Sequence, residues 1–199
     1  DAHETGGGTG SRGWNYTFDR DFTRRLILRS HGTVLSAKTL PKAKVPGKYF
    51  GIVRCFRYDQ VDATHGADFY QTEGIVLGED VNLKTLLGLL RMFAEEVAGA
   101  TDVKYVPGYF PFTEPSAEMD VECFVCGSKG CPVCKGSGWL EILGCGMVHP
   151  IVLQNGGYDP EIYSGFAAGM GVERISMLRY HVDDIRRFWE NDIRFLEQF

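Results

Sequence analysis

Arg54-Cys55-Phe56-Arg57-Tyr58-Asp59, followed after a polar stretch by Phe69-Tyr70-Gln71-Thr72-Glu73-Gly74, is the passage on which the fold turns. Aromatic and branched residues run through 49–57 and again through 69–77, while 59–68 is polar, so the spacing predicts two strands joined by a hairpin loop. Side chains alternate along a strand, which places Arg57 and Asp59 on a shared face and does the same for Gln71 and Glu73. Polar groups thus converge on a sheet surface. The same alternation also suits a hairpin face that is simply solvated.

Outward from this hairpin, Asp80 is a candidate cap for a helix over 81–98. Its apolar stripe is Leu83, Leu86, Leu87, Leu90 and Phe93, and Gly99 stops it. Residues 103–110, 117–124, 139–148 and 163–168 read as further strands between Pro and Gly punctuation. Residues 171–179 read as a helix, and 183–199 as another with Ile185, Phe188, Trp189, Ile193 and Leu196 on its buried side. On the N-terminal side, Asp19 caps a short amphipathic helix over 19–29 that carries Phe22, Leu26 and Leu28. Strands with helices packed on them make an α+β fold with a mainly antiparallel sheet.

The opening residues 1–15 have no hydrophobic period and read as a loop or a cut end. Their run Gly6-Gly7-Gly8-Thr9-Gly10 follows no strand and lacks a lysine in Walker spacing, which argues against a phosphate cradle. At 199 residues the chain fits one domain, 1–199, with a small insert at 122–138. No apolar run approaches the roughly 18 residues that a membrane helix needs. Residues 1–10 lack the basic and apolar regions of a secretory signal, so the cytoplasm is the expected location and no membrane partner is expected. A formal charge of -5 argues against coating nucleic acid by net attraction, so contact with it needs a local basic face or help from elsewhere.

Three further clusters carry chemistry. Gly169-Met170-Gly171-Val172-Glu173-Arg174 is a glycine-bounded strand-to-helix junction with an arginine in the first helical turn. Glycines let a ligand approach the backbone and a guanidinium can grip a phosphate through a forked pair of bonds, though a tight connection with a surface arginine looks the same. Tyr109-Phe110-Pro111-Phe112-Thr113-Glu114-Pro115-Ser116 sets aromatics around a proline, as a pocket for a flat apolar side chain would, or as core packing would.

Cys123, Cys126, Cys131 and Cys134 form paired Cys-x-x-Cys loops in two eight-residue repeats, 123–130 and 131–138. Each loop can wrap two thiolates around a tetrahedral ion, so zinc is expected, and four sulfurs close the site and make it structural. Cys55 and Cys145 lie in apolar strand patterns and read as small core residues.

Taken together, the stretches Arg54 to His65, Phe69 to Gly74, Gly169 to Arg174 and Phe110-Pro111-Phe112 resemble the α subunit of phenylalanyl-tRNA synthetase, a class II aminoacyl-tRNA synthetase, over nearly the whole chain. The first two look like the second class II motif with its loop, and the third looks like the third motif. The resemblance implies the class II antiparallel sheet flanked by helices, with a four-cysteine zinc knuckle as an insert that only some relatives carry.

It also implies site roles. Arg57 would hold the α-phosphate of ATP and Arg174 would contact ATP from the other side, these two being the catalytic pair. Phe69 would stack on the adenine with Arg174 over its opposite face, beside Gly171. Asp59 would stand near the adenine amino group, where the family usually has a glutamate. His31, Thr33, Gln71 and Glu73 would hold the ammonium and carboxylate of the amino acid, with Gly32 where a hydroxyl residue is more usual. Phe110 and Phe112 would grip a phenyl ring and Ala167 would close the pocket.

The implied activity is ATP- and Mg²⁺-dependent activation of phenylalanine and its transfer to tRNA(Phe), with a β subunit in an α2β2 heterotetramer and structural Zn²⁺. The family's first motif and N-terminal arm are not in this sequence, so the chain is expected to be a C-terminal piece of a longer subunit. Two rival readings are a non-catalytic paralogue that uses the zinc insert for nucleic-acid or protein contact, and a relative activating another small apolar or aromatic amino acid.

Overall fold

The computed structural model describes residues 1–8 and 10–199; Thr9, inside the glycine run, lies outside the described residues. Strands β1 (Gly47–Phe56), β2 (Asp68–Gly78), β3 (Val103–Pro107), β4 (Thr113–Glu122), β5 (Trp139–Val148) and β6 (Ser164–Gly171) form one sheet in the order β1-β2-β6-β5-β4-β3. Every neighbouring pair is antiparallel. The helices of more than one turn are α1 (Thr33–Thr39), α2 (Leu83–Phe93), α3 (Pro150–Asn155) and α4 (Val172–Tyr180). None is long and apolar enough to cross a membrane.

Period-2 alternation splits the sheet into two unlike faces. On one, Phe166, Ala168 and Met170 of β6 and Leu143, Cys145 and Met147 of β5 join Met119 and Val121 in a core closed by Leu86 and Leu90 of α2 and Leu178 of α4. On the other, the intervening positions are small. Gly144 pairs with Gly169 and Gly146 with Ala167 across β5 and β6, while Gln71 pairs with Gly171 and Glu73 with Gly169 across β2 and β6. Bulky residues on one side and glycine and alanine on the other leave a hollow in the middle of the second face. A smaller cluster of Leu40, Ile75, Leu77, Val148 and Leu153 fills one end of that face beneath α1 and α3.

Cys55 and Cys145 are buried, as expected of core residues. Burial pushes the Cys145 thiol up to about 11, so it stays protonated at neutral pH.

Several expected elements differ. The helix over 19–29 is a single turn, Arg20–Thr23, capped by Asp19. Leu26, Ile27 and Leu28 are consecutive rather than helically spaced, and they lie exposed outside any regular element while the Arg29 carbonyl accepts from the Phe56 amide at 2.8 Å. The cap of α2 is Asn82 and not Asp80, its side chain accepting from the Thr85 amide; Gly99 does close the helix, at φ 71.

The helix over 183–199 is two separate turns, Ile185–Phe188 and Ile193–Leu196. Asp184 and Asp192 each accept from the amide two residues on and start their own turn, and Asn191 between them adopts φ 54. Ile185 and Phe195 are therefore the buried members, while Trp189, Ile193 and Leu196 are exposed. Phe110 lies beyond the end of β3, in an isolated bridge to Thr113. Helices α1 and α3 have no counterpart in the sequence reading.

Candidate active site

A cavity of about 730 Å³ opens over the glycine and alanine positions. It is lined by every residue singled out for ATP or amino-acid binding: His31, Thr33, Arg57, Asp59, Phe69, Gln71, Glu73, Phe110, Phe112, Ala167, Gly171 and Arg174. These come from both ends of the sequence, and the β1-β2-β6-β5 strand order brings them together.

At one end the aromatic rings stack. Phe110 and Phe112 are near parallel with centroids 6.2 Å apart, and His31 stacks on Phe112 at 5.9 Å. A Cβ on Gly144 would stand 2.7 Å from Cζ of Phe110, so the ring lies directly on that glycine. The His31 Nδ1 is buried without a hydrogen-bond partner among the described residues, leaving a polar atom that a ligand could satisfy.

In the middle, α1 is bound to β2 by polar contacts. The buried Glu73 accepts from the Thr33 hydroxyl at 2.7 Å and from the Ser36 hydroxyl at 2.5 Å, and the Gln71 side-chain oxygen accepts from the Gly32 amide at 2.6 Å. A Cβ on Gly32 would meet the Glu73 carboxylate at 3.1 Å, so glycine lets the start of α1 sit close against that acid. Gln71 lies over Gly169, whose absent side chain leaves room for its amide.

The other end is cationic. The Arg57 guanidinium lies over the Phe69 ring, 4.9 Å from its centroid, and Nε donates to the Ser30 carbonyl at 2.9 Å. Arg174 is held differently: Nη1 donates to the Glu141 carbonyl at 2.6 Å, and Nε and Nη2 donate to the Thr64 carbonyl at 3.4 Å. Glu173 beside it is buried and accepts from the Tyr70 amide at 2.8 and 3.0 Å. Burial pushes its carboxyl up from the usual range, against the pull of that amide. Of the four acids lining the cavity, Glu73 and Glu173 are committed to hydrogen bonds, the exposed Glu141 pairs with Arg174 at 3.8 Å, and Asp59 is exposed at the wall.

The sequence reading gave no role to the turn that faces Arg174. Asp62 Oδ1 accepts from the amides of Thr64 and His65 at 2.8 and 2.9 Å and lies 2.7 Å from His65 Nδ1. Partial burial works against this carboxylate's charge, but the Thr64 amide, the His65 ring and the Thr64 hydroxyl outweigh it and hold it well below the usual range. The signal was present as Asp62-Ala63-Thr64-His65, since an aspartate bonding its own backbone two and three residues on makes an Asx turn. Ser36, Glu141 and Gly144 were missed too; Ser36 sits in α1, which the sequence reading left unassigned, and the other two in a strand that looks ordinary.

The four cysteines come together at the far end of the β4–β5 hairpin. Their Sγ atoms all lie within 4.8 Å of one another, with Cys123–Cys131 and Cys126–Cys134 at 3.8 Å and Cys131–Cys134 at 3.7 Å. Sulfurs about 2.3 Å from a tetrahedral zinc stand about 3.8 Å apart, so the set fits that ion. The two repeats are also structurally alike: the Gly130 amide donates to Cys126 Sγ at 3.2 Å and the Gly138 amide to Cys134 Sγ at 3.3 Å. Burial opposes ionisation of Cys134, but the Cys131 and Gly138 amides prevail and draw its thiol down to about 6.

The family model described as tRNA synthetases class II core domain (F) matches residues 8–199. The chain is 53% identical over 192 residues to the "Phenylalanine--tRNA ligase alpha subunit" of Borreliella burgdorferi, covering 96% of this chain and 34% of that protein. It is 53% identical over 191 residues to the protein of the same name from Treponema pallidum (strain Nichols), covering 96% and 32%. With that of Alkaliphilus oremlandii the identity is 52% over 179 residues, covering 89% and 53%. The chain thus spans a third to a half of the length of the curated relatives it matches.

Proposed function

Because the chain belongs to the class II tRNA synthetase core family, we propose that it activates phenylalanine with ATP and passes it to tRNA(Phe), as the synthetase core of an α subunit working with a β subunit in an α2β2 assembly in the cytoplasm. The observation that carries this reading is the single cavity with stacked Phe110 and Phe112 at one end and Arg57, Phe69 and Arg174 at the other.

An apolar side chain enters the ring end, beside Phe110 and Phe112 and against Ala167. His31, Thr33, Gln71 and Glu73 surround its ammonium and carboxylate, Glu73 supplying the negative charge that an ammonium needs. ATP lies along the cationic end with its base at Phe69 and Asp59. The amino-acid carboxylate then attacks the α-phosphorus in line as the bond to the β-phosphate oxygen breaks, giving phenylalanyl-adenylate and pyrophosphate.

Little acid or base help is needed; alignment and charge stabilisation dominate such a step. Arg57 and Arg174 are the residues placed to supply that charge. Glu141 and Asp59 are the carboxylates that would hold a Mg²⁺ bound with the triphosphate, which would neutralise phosphate charge. The ring end also sets selectivity, because a charged side chain there would be stripped of water and left unpaired. Zn²⁺ on Cys123, Cys126, Cys131 and Cys134 is structural, as four thiolates leave no open position.

Thermal shift with non-hydrolysable phenylalanyl, tyrosyl and seryl adenylate analogues tests the reading, since a ligand of the folded state raises its melting temperature. Stabilisation selective for the phenylalanyl analogue is expected. No shift with any analogue would favour a binding module.

A further inference from the structure

Arg174 donates through every hydrogen bond it makes, because a guanidinium carries five N–H groups and no acceptor. Its Nη2 lies 3.3 Å from Nε2 of His65, and a hydrogen bond there requires that ring nitrogen to be an acceptor without a proton. The ring proton is then on Nδ1, 2.7 Å from Asp62 Oδ1. An imidazolium would set a donor against the guanidinium, and the Nε2–H tautomer would do the same.

The turn holding these groups is fixed from outside as well. The Ala63 carbonyl accepts from the Ile185 amide at 2.9 Å, and Ile185 itself is buried and lines the cavity. Asp62 sits behind His65 and is absent from the cavity lining, so it acts on a nucleotide through its neighbours.

We propose that Asp62 is a positioning residue. By holding His65 as the Nδ1–H tautomer it leaves Nε2 an acceptor, and this acceptor, with the carbonyls of Thr64 and Glu141, orients the Arg174 guanidinium on the cavity wall for the nucleotide. The inference rests on the reading of Arg174 as an ATP contact.

Long-range proton–nitrogen correlation of the histidine rings in the unliganded chain reads the tautomer directly. The Nδ1–H form is expected at His65, and the Nε2–H form or an imidazolium overturns the proposal. Asp62→Asn keeps an oxygen for the turn's amides and removes the charge that favours Nδ1–H. ATP affinity, measured by calorimetry, is expected to fall about tenfold, with phenylalanine affinity unchanged and no further loss in an Arg174→Ala background. An equal loss in both backgrounds overturns the proposal, as does a loss in Arg174→Ala with none in Asp62→Asn. An Arg174→Ala protein that binds ATP normally sinks instead the nucleotide role of Arg174. Should Asp62→Asn fail to fold, His65→Gln, which restores an acceptor near Nε2 without a tautomer, must bind ATP better than His65→Phe, and equal losses reject the idea.

Discussion

At the aromatic end of the cavity, Phe110 lies on Gly144, and the floor continues through Ala167 and Gly169, all set by strand register. At the cationic end, Arg57 and Arg174 are held by hydrogen bonds to carbonyls of Ser30, Thr64 and Glu141, two of them in loops. The first end is shaped by what the sheet lacks, side chains at alternate positions. The second is shaped by what the loops offer, oriented acceptors. The shape of a rigid floor changes only with its volume, whereas an array of donors and charges changes with salt, tautomer and ligand.

The sharpest way to separate the two is Arg57→Ala. Losing charge stabilisation is expected to lower phenylalanine-dependent ATP–pyrophosphate exchange by about 10²–10³ in kcat, while calorimetry finds phenylalanine binding within a few-fold of wild type. A comparable loss of phenylalanine binding would show the two ends to be one unit. Gly144→Ala attacks the other end. Its Cβ must displace Phe110, so KM for phenylalanine should rise about thirtyfold, from about 2 kcal/mol of overpacking, with KM for ATP unchanged.

Glu73→Gln sits between the ends. It turns an amide group toward the hydroxyl of Thr33 or Ser36 and removes the charge facing an ammonium, so KM for phenylalanine should rise about tenfold, again without effect on ATP. Chelating the metal should lower the melting temperature while leaving both ligand affinities of the still-folded protein within about threefold, because the four-cysteine set contributes no residue to the cavity. The smallest effect concerns pH. Glu173 has a raised carboxyl pKa, so burying it is unfavourable once it ionises; the stability of wild type relative to Glu173→Gln should fall as pH rises through the range of this carboxyl, and a rise would show that the Tyr70 amide more than offsets burial.

The hairpin, the sheet class and the four-cysteine knuckle were legible because each is written locally: alternation at 49–57 and 69–77, and paired Cys-x-x-Cys. The residues that motif resemblance singled out for ATP and the amino acid line one cavity. The helix over 183–199 failed because its apolar period runs through two aspartates, each of which caps its own turn; local capping prevailed over periodicity. Helix α1 was left unassigned because its polar residues, Thr33 and Ser36, face Glu73 across the cavity wall instead of water, which breaks the usual pattern of a polar outer face. The glycine floor was missed for a related reason. Gly144 matters through the strand beside it, where it pairs with Gly169, and pairing across β5 and β6 is not written in either strand by itself.

Glu122 and Trp139 pair directly across β4 and β5, and the Cys123 amide donates to the Gly138 carbonyl at 2.9 Å just beyond them. The knuckle therefore leaves and rejoins the sheet at adjacent points, like a bead threaded on a hairpin. Everything between those residues could be exchanged for a two-residue Asn-Gly turn without altering the sheet's register. Such a module could be gained or lost in one genetic step, and the same junction is a ready place to splice in a tag or a sensor domain.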